Sequence, residues 1–330
     1  MVFTDTNENM PLASIILVTY NQVAYVQEAL LSVAGQTYGN LEIVVSDDAS
    51  TDGTFDLILE FCEQYDGPHT FIINRNDVNL GVGGNYAKAV SLSHGELVFV
   101  AGGDDVSLPS RVALVVNFWL ETGRKFDLIA CHLIDMSVDG TCLGEIKVSN
   151  LSAYTSLNDW VDNPPHVIGA AQAWTRRLYD LFGGLPKGVV GEDFILSFRA
   201  ISQGRAVTLP QPVVYYRRGG LTNKQKAMSA QQVIAGLSKK TKSSFLEWSL
   251  LLGDAEASGA SERVMSYLRL HQQREICIEE MLLNNRPWRA LFGCREVDLA
   301  FRLRVFVYAV CPELLAPLFF FKRIKYTGQA

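Results

Sequence analysis

Paired cysteines and clustered histidines are what this sequence has least of. The six cysteines, at 62, 131, 142, 277, 294 and 311, include no CxxC and no zinc-knuckle spacing, which excludes a dithiol redox motif and a cysteine-held structural zinc. Buried free thiols in a reducing compartment are the expectation. Five histidines are scattered through 330 residues. His94 reads as a turn residue, His132 shares a strand with Cys131, and His166 sits in a loop, none with a partner acid in view. A basic excess is missing as well. The net charge of -6 and pI of about 5.5 argue against nucleic acid as a partner. The first apolar run, 15–18, is too short for a leader and follows a polar, acidic segment. A cytoplasmic protein is therefore expected. There is no internal repeat and no low-complexity linker.

An alternation of short apolar runs with helical patterns fills the first 110 residues. Residues 14–18, 41–45, 71–73 and 97–101 read as strands. Val26, Ala29, Leu30 and Val33 recur at helical spacing, as do Phe55, Ile58, Leu59 and Cys62, and an Ala-rich helix is expected over 85–92. Continuous rather than alternating apolar strands imply a parallel sheet covered on both faces. Further on, 127–134 and 213–216 read as strands. Gly191-Glu192-Asp193 opens a helix striped by Phe194, Ile195, Phe198 and Ile201. Beyond Asn223 the pattern is helical, with Pro287, Pro312 and Pro317 as breaks.

In an open α/β sheet ligands sit beyond the carboxyl ends of the strands. Three polar loops fall there: Thr19-Tyr20-Asn21, Ser46-Asp47-Asp48 and Gly102-Gly103-Asp104-Asp105. Adjacent carboxylates after two glycines suit a hard divalent cation, Mg²⁺ or Mn²⁺, since phosphates and water complete its shell. A strand-end acid such as Asp48 suits a nucleobase N–H or a ribose hydroxyl. Each pair taken alone also fits an ordinary turn whose acid caps the next helix, with Ser50 or Asp52 capping in the second loop. Glu192-Asp193 alone fits acids gathered at a helix N-terminus, and Trp160 and Trp174 fit core packing better than sugar stacking.

The combined pattern is more specific. SIILVTYNQ (14–22), QTYGNLEIVVSDDASTDGT (36–54), NLGVGGNYAKAV (79–90), GELVFVAGGDDVSLPSR (95–111), GEDFILSFRAISQG (191–204) and PVVYYRRGG (212–220) together resemble the family 2 glycosyltransferases, similar to bacterial polysaccharide, O-antigen and capsule enzymes. The resemblance implies a GT-A fold, a Rossmann-like nucleotide-sugar-binding domain with a mostly parallel sheet over 12–222, followed by a helical region over 223–330. It also implies inverting transfer from a nucleotide sugar, UDP-linked by preference, to a hydroxyl of a glycan or lipid-linked glycan in cell-surface polysaccharide synthesis.

Carried over residue by residue, Thr19, Tyr20, Asn21 and Asp48 match the base-lining positions. Gly103 and Asp104 match the end of the metal motif, with Asp105 beside it as second metal acid. Asp193 matches the general base, and Glu192 its supporting neighbour. Two positions depart from the pattern. Gly102 replaces the first acid of the motif, and Gly219 stands where many relatives carry a His, a contact that Arg217 or Arg218 would have to replace electrostatically. These departures are the support for the alternative reading, a non-catalytic sugar- or nucleotide-binding module. A dinucleotide oxidoreductase is excluded because the first strand's loop, TYNQVAY, has no glycine.

From 286 to 330 there are eight basic residues against three acidic ones, so the remainder carries -11. Residues 311–325, with Phe319-Phe320-Phe321 before Lys322-Arg323-Ile324-Lys325, suit a segment lying peripherally on an anionic membrane surface. A hairpin packed on the protein, or a dimer contact, is the competing reading, and the oligomeric state stays open.

Overall fold

The computed structural model describes residues 10–218 and 229–315. The chain divides into two compact units, Met1–Asn223 and Lys224–Ala330. The first begins with β1 (Ala13–Thr19), α1 (Val26–Ala34), β2 (Leu41–Asp47), α2 (Thr54–Gln64), β3 (Thr70–Arg75), α3 (Gly81–Leu92) and β4 (Leu97–Gly102). It continues through β5 (Val106–Ser107), α4 (Arg111–Glu121), β6 (Leu128–Met136), β7 (Cys142–Ile146), α5 (Leu157–Asp162) and β8 (Gln172–Thr175). It ends with α6 (Arg176–Leu181), α7 (Glu192–Ser202) and β9 (Ala206–Arg217).

The fold is mixed α/β with a mostly parallel sheet in the order β3-β2-β1-β4-β8-β6-β9-β5, with β7 paired to β6. The first four strands are parallel, in register Val18↔Gly102 between β1 and β4 and Thr19↔Asp47 between β1 and β2. The apolar runs of β1, β2 and β4 are buried along nearly their whole length, as a sheet with helices on both faces requires, while β3 at the sheet edge is partly exposed. β8 is inserted antiparallel between β4 and β6, and β6 and β9 pair in parallel again.

Three elements differ from the sequence expectation. α3 starts at Gly81, four residues before the expected helix. Its glycines do not break it, because the first turn lies against the loop leading to α7. A Cβ on Gly83 would stand 1.6 Å from the Val189 carbonyl oxygen. β9 runs twelve residues, from Ala206 rather than from Val213. Pro210 and Pro212 fall where its register with β6 shifts, between Cys131 and His132, so the missing N–H donors lie at an irregularity. The thiols are free but not all buried, since Cys142 is exposed.

The second unit holds α8 (Ala230–Ala257), α9 (Glu262–Ile278), α10 (Pro287–Gly293) and α11 (Leu299–Val310). The side chains of Ser229, Ser261 and Asp298 cap α8, α9 and α11, satisfying backbone N–H groups that a helix start leaves open. Pro287 stands at the first position of α10, where its missing N–H costs nothing. Cys277, Ile278, Met281, Leu291, Val297 and Val305 form a common core. Among the described residues no helix is long and apolar enough to cross a membrane.

The Gly83 contact is with backbone, which cannot rotate aside. Gly83→Ala should therefore cost about 3 kcal/mol, the upper range of overpacking. A fall in melting temperature of less than a few degrees by calorimetry would show that this contact does not constrain α3.

Candidate active site

The ends of β1, β2 and β4 lie side by side, and a set of hydrogen bonds knits the loops that leave them. Asn21, at φ 51°, donates its backbone N–H to Ser50 Oγ, and its side-chain oxygen accepts from Thr51 N. Gln22 N–H donates to Thr54 Oγ1 and Val23 N–H to Asp52 Oδ2. Ser50 does not cap α2. Its hydroxyl donates to Asp47 Oδ1, while Asp52 Oδ1 accepts from Thr54 N at 3.0 Å. Of the three residues matched to the base-lining loop, Tyr20 is exposed at the rim, and Asn21 is committed to the neighbouring loop. The buried Thr19 Oγ1 makes no hydrogen bond among the described residues.

Asp47 and Asp48, adjacent and chemically identical, have separate duties. Asp47 is fully buried and holds Ser50 through backbone and hydroxyl. Asp48 Oδ1 accepts from Asn76 Nδ2 at 2.9 Å and from Leu80 N at 2.8 Å, so both bonds fall on one oxygen and orient the other. Behind it lies a buried amide network. Asn85 Oδ1 accepts from Ser46 Oγ and Asn76 Nδ2, and Asn85 Nδ2 donates to the carbonyls of Ser46 and Thr19. Asn74 Nδ2 donates to Ser46 Oγ and Asn76 Oδ1. Sequence reading had missed Asn74, Asn76 and Asn85. The available signal was asparagine recurring at 74, 76, 79 and 85 beside a strand end.

The acidic pair follows β4 in a tight turn, with Gly103 N–H donating to Val18 O and Asp105 N–H to Gly102 O. No side chain fits at 103, where a Cβ would lie 2.5 Å from Gln22 Oε1 and 2.8 Å from Thr19 Oγ1. Position 102 stands directly over both carboxylates, since a Cβ there would be 2.9 Å from Asp104 Oδ1 and 3.1 Å from Asp105 Oδ2. Glycine at 102 therefore places no side chain over the carboxylate oxygens.

Arg217 anchors this turn. Its backbone N–H donates to Asp105 Oδ1 at 3.0 Å, its Nε to the Asp104 carbonyl at 2.9 Å and its guanidinium to the Val138 carbonyl. It also pairs with Glu28 and lies 4.8 Å above the Tyr25 ring. Only 5 % of its side chain is exposed, so Arg217 is a strut, and Arg218 is paired with Asp135 at the surface. Gly219 lies outside the described residues.

Burial, more than any other cause, raises the Asp104 carboxyl above its ordinary range, against a Gln22 hydrogen bond and the Arg217 charge. Burial and the neighbouring Asp104 push Asp105 up to about 8, although Arg217 and Arg111 oppose the shift. Arg111, fully buried beneath, is itself brought down to about 10 by desolvation. Among the described residues no group of three or more His, Cys, Asp or Glu is set to hold an ion. The two carboxylates would be the protein's whole contribution to a cation, a number that Mg²⁺ or Mn²⁺ accepts when phosphates supply the rest.

Glu192 and Asp193 form the first turn of α7. Asp193 Oδ1 accepts from Phe194 N at 2.8 Å, and its carbonyl accepts from Gln172 Nε2 on β8 at 3.3 Å. Glu192 Oε1 lies 2.5 Å from where a Cβ of Gly169 would be, so that glycine makes room for the carboxylate. Trp160 and Trp174 are both buried, Trp160 against Phe194 and Phe198. α3 links the two parts of the site: Asn85 belongs to the network around Asp48, and the Glu192 and Asp193 charges bear on the next residue, Tyr86.

The Asp105 shift has a stability consequence for the metal-free protein. In the unfolded chain this carboxyl ionises near 4, whereas the folded one keeps its proton to about 8. Its contribution to stability is full at acid pH and is lost as pH rises through that window. Asp105→Asn retains the acceptor for Arg217 N–H and cannot ionise. Without metal it should melt several degrees above the parent at pH 8 and level with it at pH 4, by scanning calorimetry. Parallel pH profiles for the two proteins would refute this.

Comparison with known proteins gives a consistent assignment. The family model described as Glycosyl transferase family 2 matches residues 14–180. Abequosyltransferase RfbV of Salmonella typhimurium is 38% identical over 138 residues, 41% of this chain and 39% of that protein. The chain thus spans about two-fifths of that relative's length. An uncharacterized glycosyltransferase of Nostoc, alr2836, is 26% identical over 225 residues, 66% of this chain and 68% of the relative. Among solved structures, S. aureus TarS 1-349 in complex with UDP-GlcNAc superposes with a TM-score of 0.58 at 18% identity, covering 95% of this chain and 88% of that one. The mannosyltransferase PcManGT of Pyrobaculum calidifontis, in complex with GDP-Man and Mn²⁺, gives a TM-score of 0.54 at 17% identity, covering 93% and 87%. At such identities these two likenesses concern the fold, which is that of GT-A glycosyltransferases. With a family model matched over half its length, the chain is a member of glycosyl transferase family 2.

Proposed function

We propose that this protein transfers a sugar from a nucleotide-sugar donor, UDP-linked by preference, to a hydroxyl of a glycan or lipid-linked glycan during cell-surface polysaccharide synthesis, with inversion at the anomeric carbon. The observation that carries the reading is the set of acids at the strand ends: Asp48 oriented by buried amides, and Asp104 and Asp105 side by side with no side chain over them at Gly102. Asp48 would accept from the base or ribose, with Thr19, Tyr20, Asn21 and Gly103 lining the nucleotide. Asp104 and Asp105 would hold Mn²⁺ or Mg²⁺, which when bound offsets the charge gathering on the departing diphosphate. Asp193 takes the acceptor's proton, and Glu192 supports it. One displacement then suffices, without a covalent intermediate.

A paired substitution tests these roles. Asp104→Ala should lose Mn²⁺-dependent UDP binding in calorimetric titration while remaining folded. Asp193→Asn should bind UDP normally yet hydrolyse UDP-sugars from a panel about 10²–10⁴-fold more slowly, the usual worth of a general base. A parent protein that binds UDP and hydrolyses no donor would favour the non-catalytic binding module instead.

The second unit suits attachment to an anionic membrane surface from the cytoplasmic side. On α10, Trp288 and Phe292 are 61% and 66% exposed and stack at 6.4 Å; at i and i+4 they share a face. Leu299 and Leu303 are exposed at the same spacing on α11, and Arg289 and Arg295 are exposed nearby in sequence. Aromatics that insert, accompanied by cations, are the chemistry of an interfacial element. Residues 316–325 of the expected tail segment lie outside the described residues. Co-sedimentation with anionic vesicles should weaken with salt and fall at least tenfold in a Trp288→Ser, Phe292→Ser double variant, as two lost apolar anchors imply. Unchanged partitioning of that variant would remove α10 from the interface.

A further inference from the structure

Two buried polar groups lie close behind the first turn of α7, the Trp174 indole N–H directed at the Tyr86 oxygen and the Tyr86 hydroxyl with no acceptor of its own among the described residues. Tyr86 is 2% and Trp174 0% exposed. A buried donor without a partner costs about 1–3 kcal/mol, so the hydroxyl requires a reason.

Their placement supplies one. Gly83 and Tyr86 are three apart on α3 and share a face, and Gly83 is pressed on the Val189 carbonyl just before α7. Gln172 and Trp174 are two apart on β8 and point to one side of the sheet, and Gln172 donates to the Asp193 carbonyl. A helical and a strand periodicity thus bring both groups to the same acidic turn. The two rings lie 6.4 Å apart, and Tyr179 stacks on Trp174 at 5.2 Å, which restrains the indole. The phenol is also held well above its ordinary pKa, by burial first and then by the charges of Glu192, Tyr179 and Asp193, with the Trp174 indole N–H, directed at the phenol oxygen, opposing the shift.

We propose that Tyr86 and Trp174 are positioning residues for the acidic pair, donating to the Glu192 and Asp193 carboxylates in the substrate-loaded protein so that Asp193 stays ionised and oriented for proton abstraction. This rests on the reading of Asp193 as base. Apo hydrogen bonds of catalytic groups are often long and close only when substrate binds. Two fixed donors beside a carboxylate pair favour its charged form.

Two measurements separate this proposal from the reading beneath it. In the protein alone, the Trp174 indole N–H resonance, identified by its loss in Trp174→Phe, should move with pH through the carboxylate range. Glu192→Gln should reduce the movement, and Tyr86→Phe should raise its midpoint by about one pH unit, as expected for one lost hydrogen bond to a charged group. In Mn²⁺-dependent UDP-sugar hydrolysis, Tyr86→Phe should lower kcat about tenfold with KM for the donor unchanged. The acid limb of its kcat profile should move to higher pH. If the hydroxyl is only an unsatisfied core group, its removal will be neutral or stabilising and both pH midpoints will stay in place, which overturns the proposal. If Asp193→Asn hydrolyses donors normally, the base assignment fails, and a pH-invariant Trp174 resonance would then remove the positioning role as well.

Discussion

The buried amide of Asn85 ties α3 to the ends of β1 and β2, and the rest of the site depends on that tie. Its oxygen accepts from Ser46 Oγ and Asn76, and its nitrogen donates to the carbonyls of Ser46 and Thr19. An amide has two donor and two acceptor positions, and here both ends are engaged in a side chain buried from solvent, so neither the helix nor the strand ends can shift without leaving a polar group unpaired. The consequences run in two directions. Through Asn76 the network fixes Asp48, and along α3 it fixes Gly83 and Tyr86, which set the approach of the loop before α7. Asp48 and the candidate base Asp193, 145 residues apart in sequence, thereby share one helix as their reference.

The second constraint is electrostatic. Asp104 and Asp105 are consecutive carboxylates in a partly dry turn, and burial raises both. Arg217 and Arg111 oppose the shift without cancelling it, because each guanidinium is also engaged by carbonyls or a hydroxyl elsewhere. A metal-free turn of this kind is held in shape by its surroundings while its charge remains unfavourable, an environment in which a cation would be favoured. Arg217 closes β9 and reaches α1, the β4 turn and the loop at Val138. Its removal would release several segments at once.

Much of this architecture was legible in the residues. The continuous apolar runs of β1, β2 and β4 and the helical stripe of α1 appear in the structure where periodicity placed them, since a parallel sheet buried on both faces leaves no room for alternation. The acids at 48, 104 and 105 drew attention because they follow such runs, whereas Asp193 was singled out only by the family resemblance. Less legible was anything set by a contact distant in sequence. The glycines of the α3 first turn looked like a loop, and only the Val189 carbonyl explains why a helix there needs them. The prolines of β9 hid seven residues of strand, because the shifted register with β6 that accommodates them cannot be seen locally.

The sequence by itself determined the α/β class and the parallel block of strands through local periodicity, and the family through motifs whose order and spacing resemble it. The tertiary structure alone decided how neighbours of identical chemistry divide their work. Asp47 became a buried strut and Asp48 an oriented acid, and Arg217 was drawn inward while Arg218 stayed at the surface. Tyr86 became a buried hydroxyl subject to the charges of Glu192 and Asp193, far along the chain. The reason is physical: burial and partner choice depend on which side chains meet across the sheet, and that meeting is not encoded in any single segment.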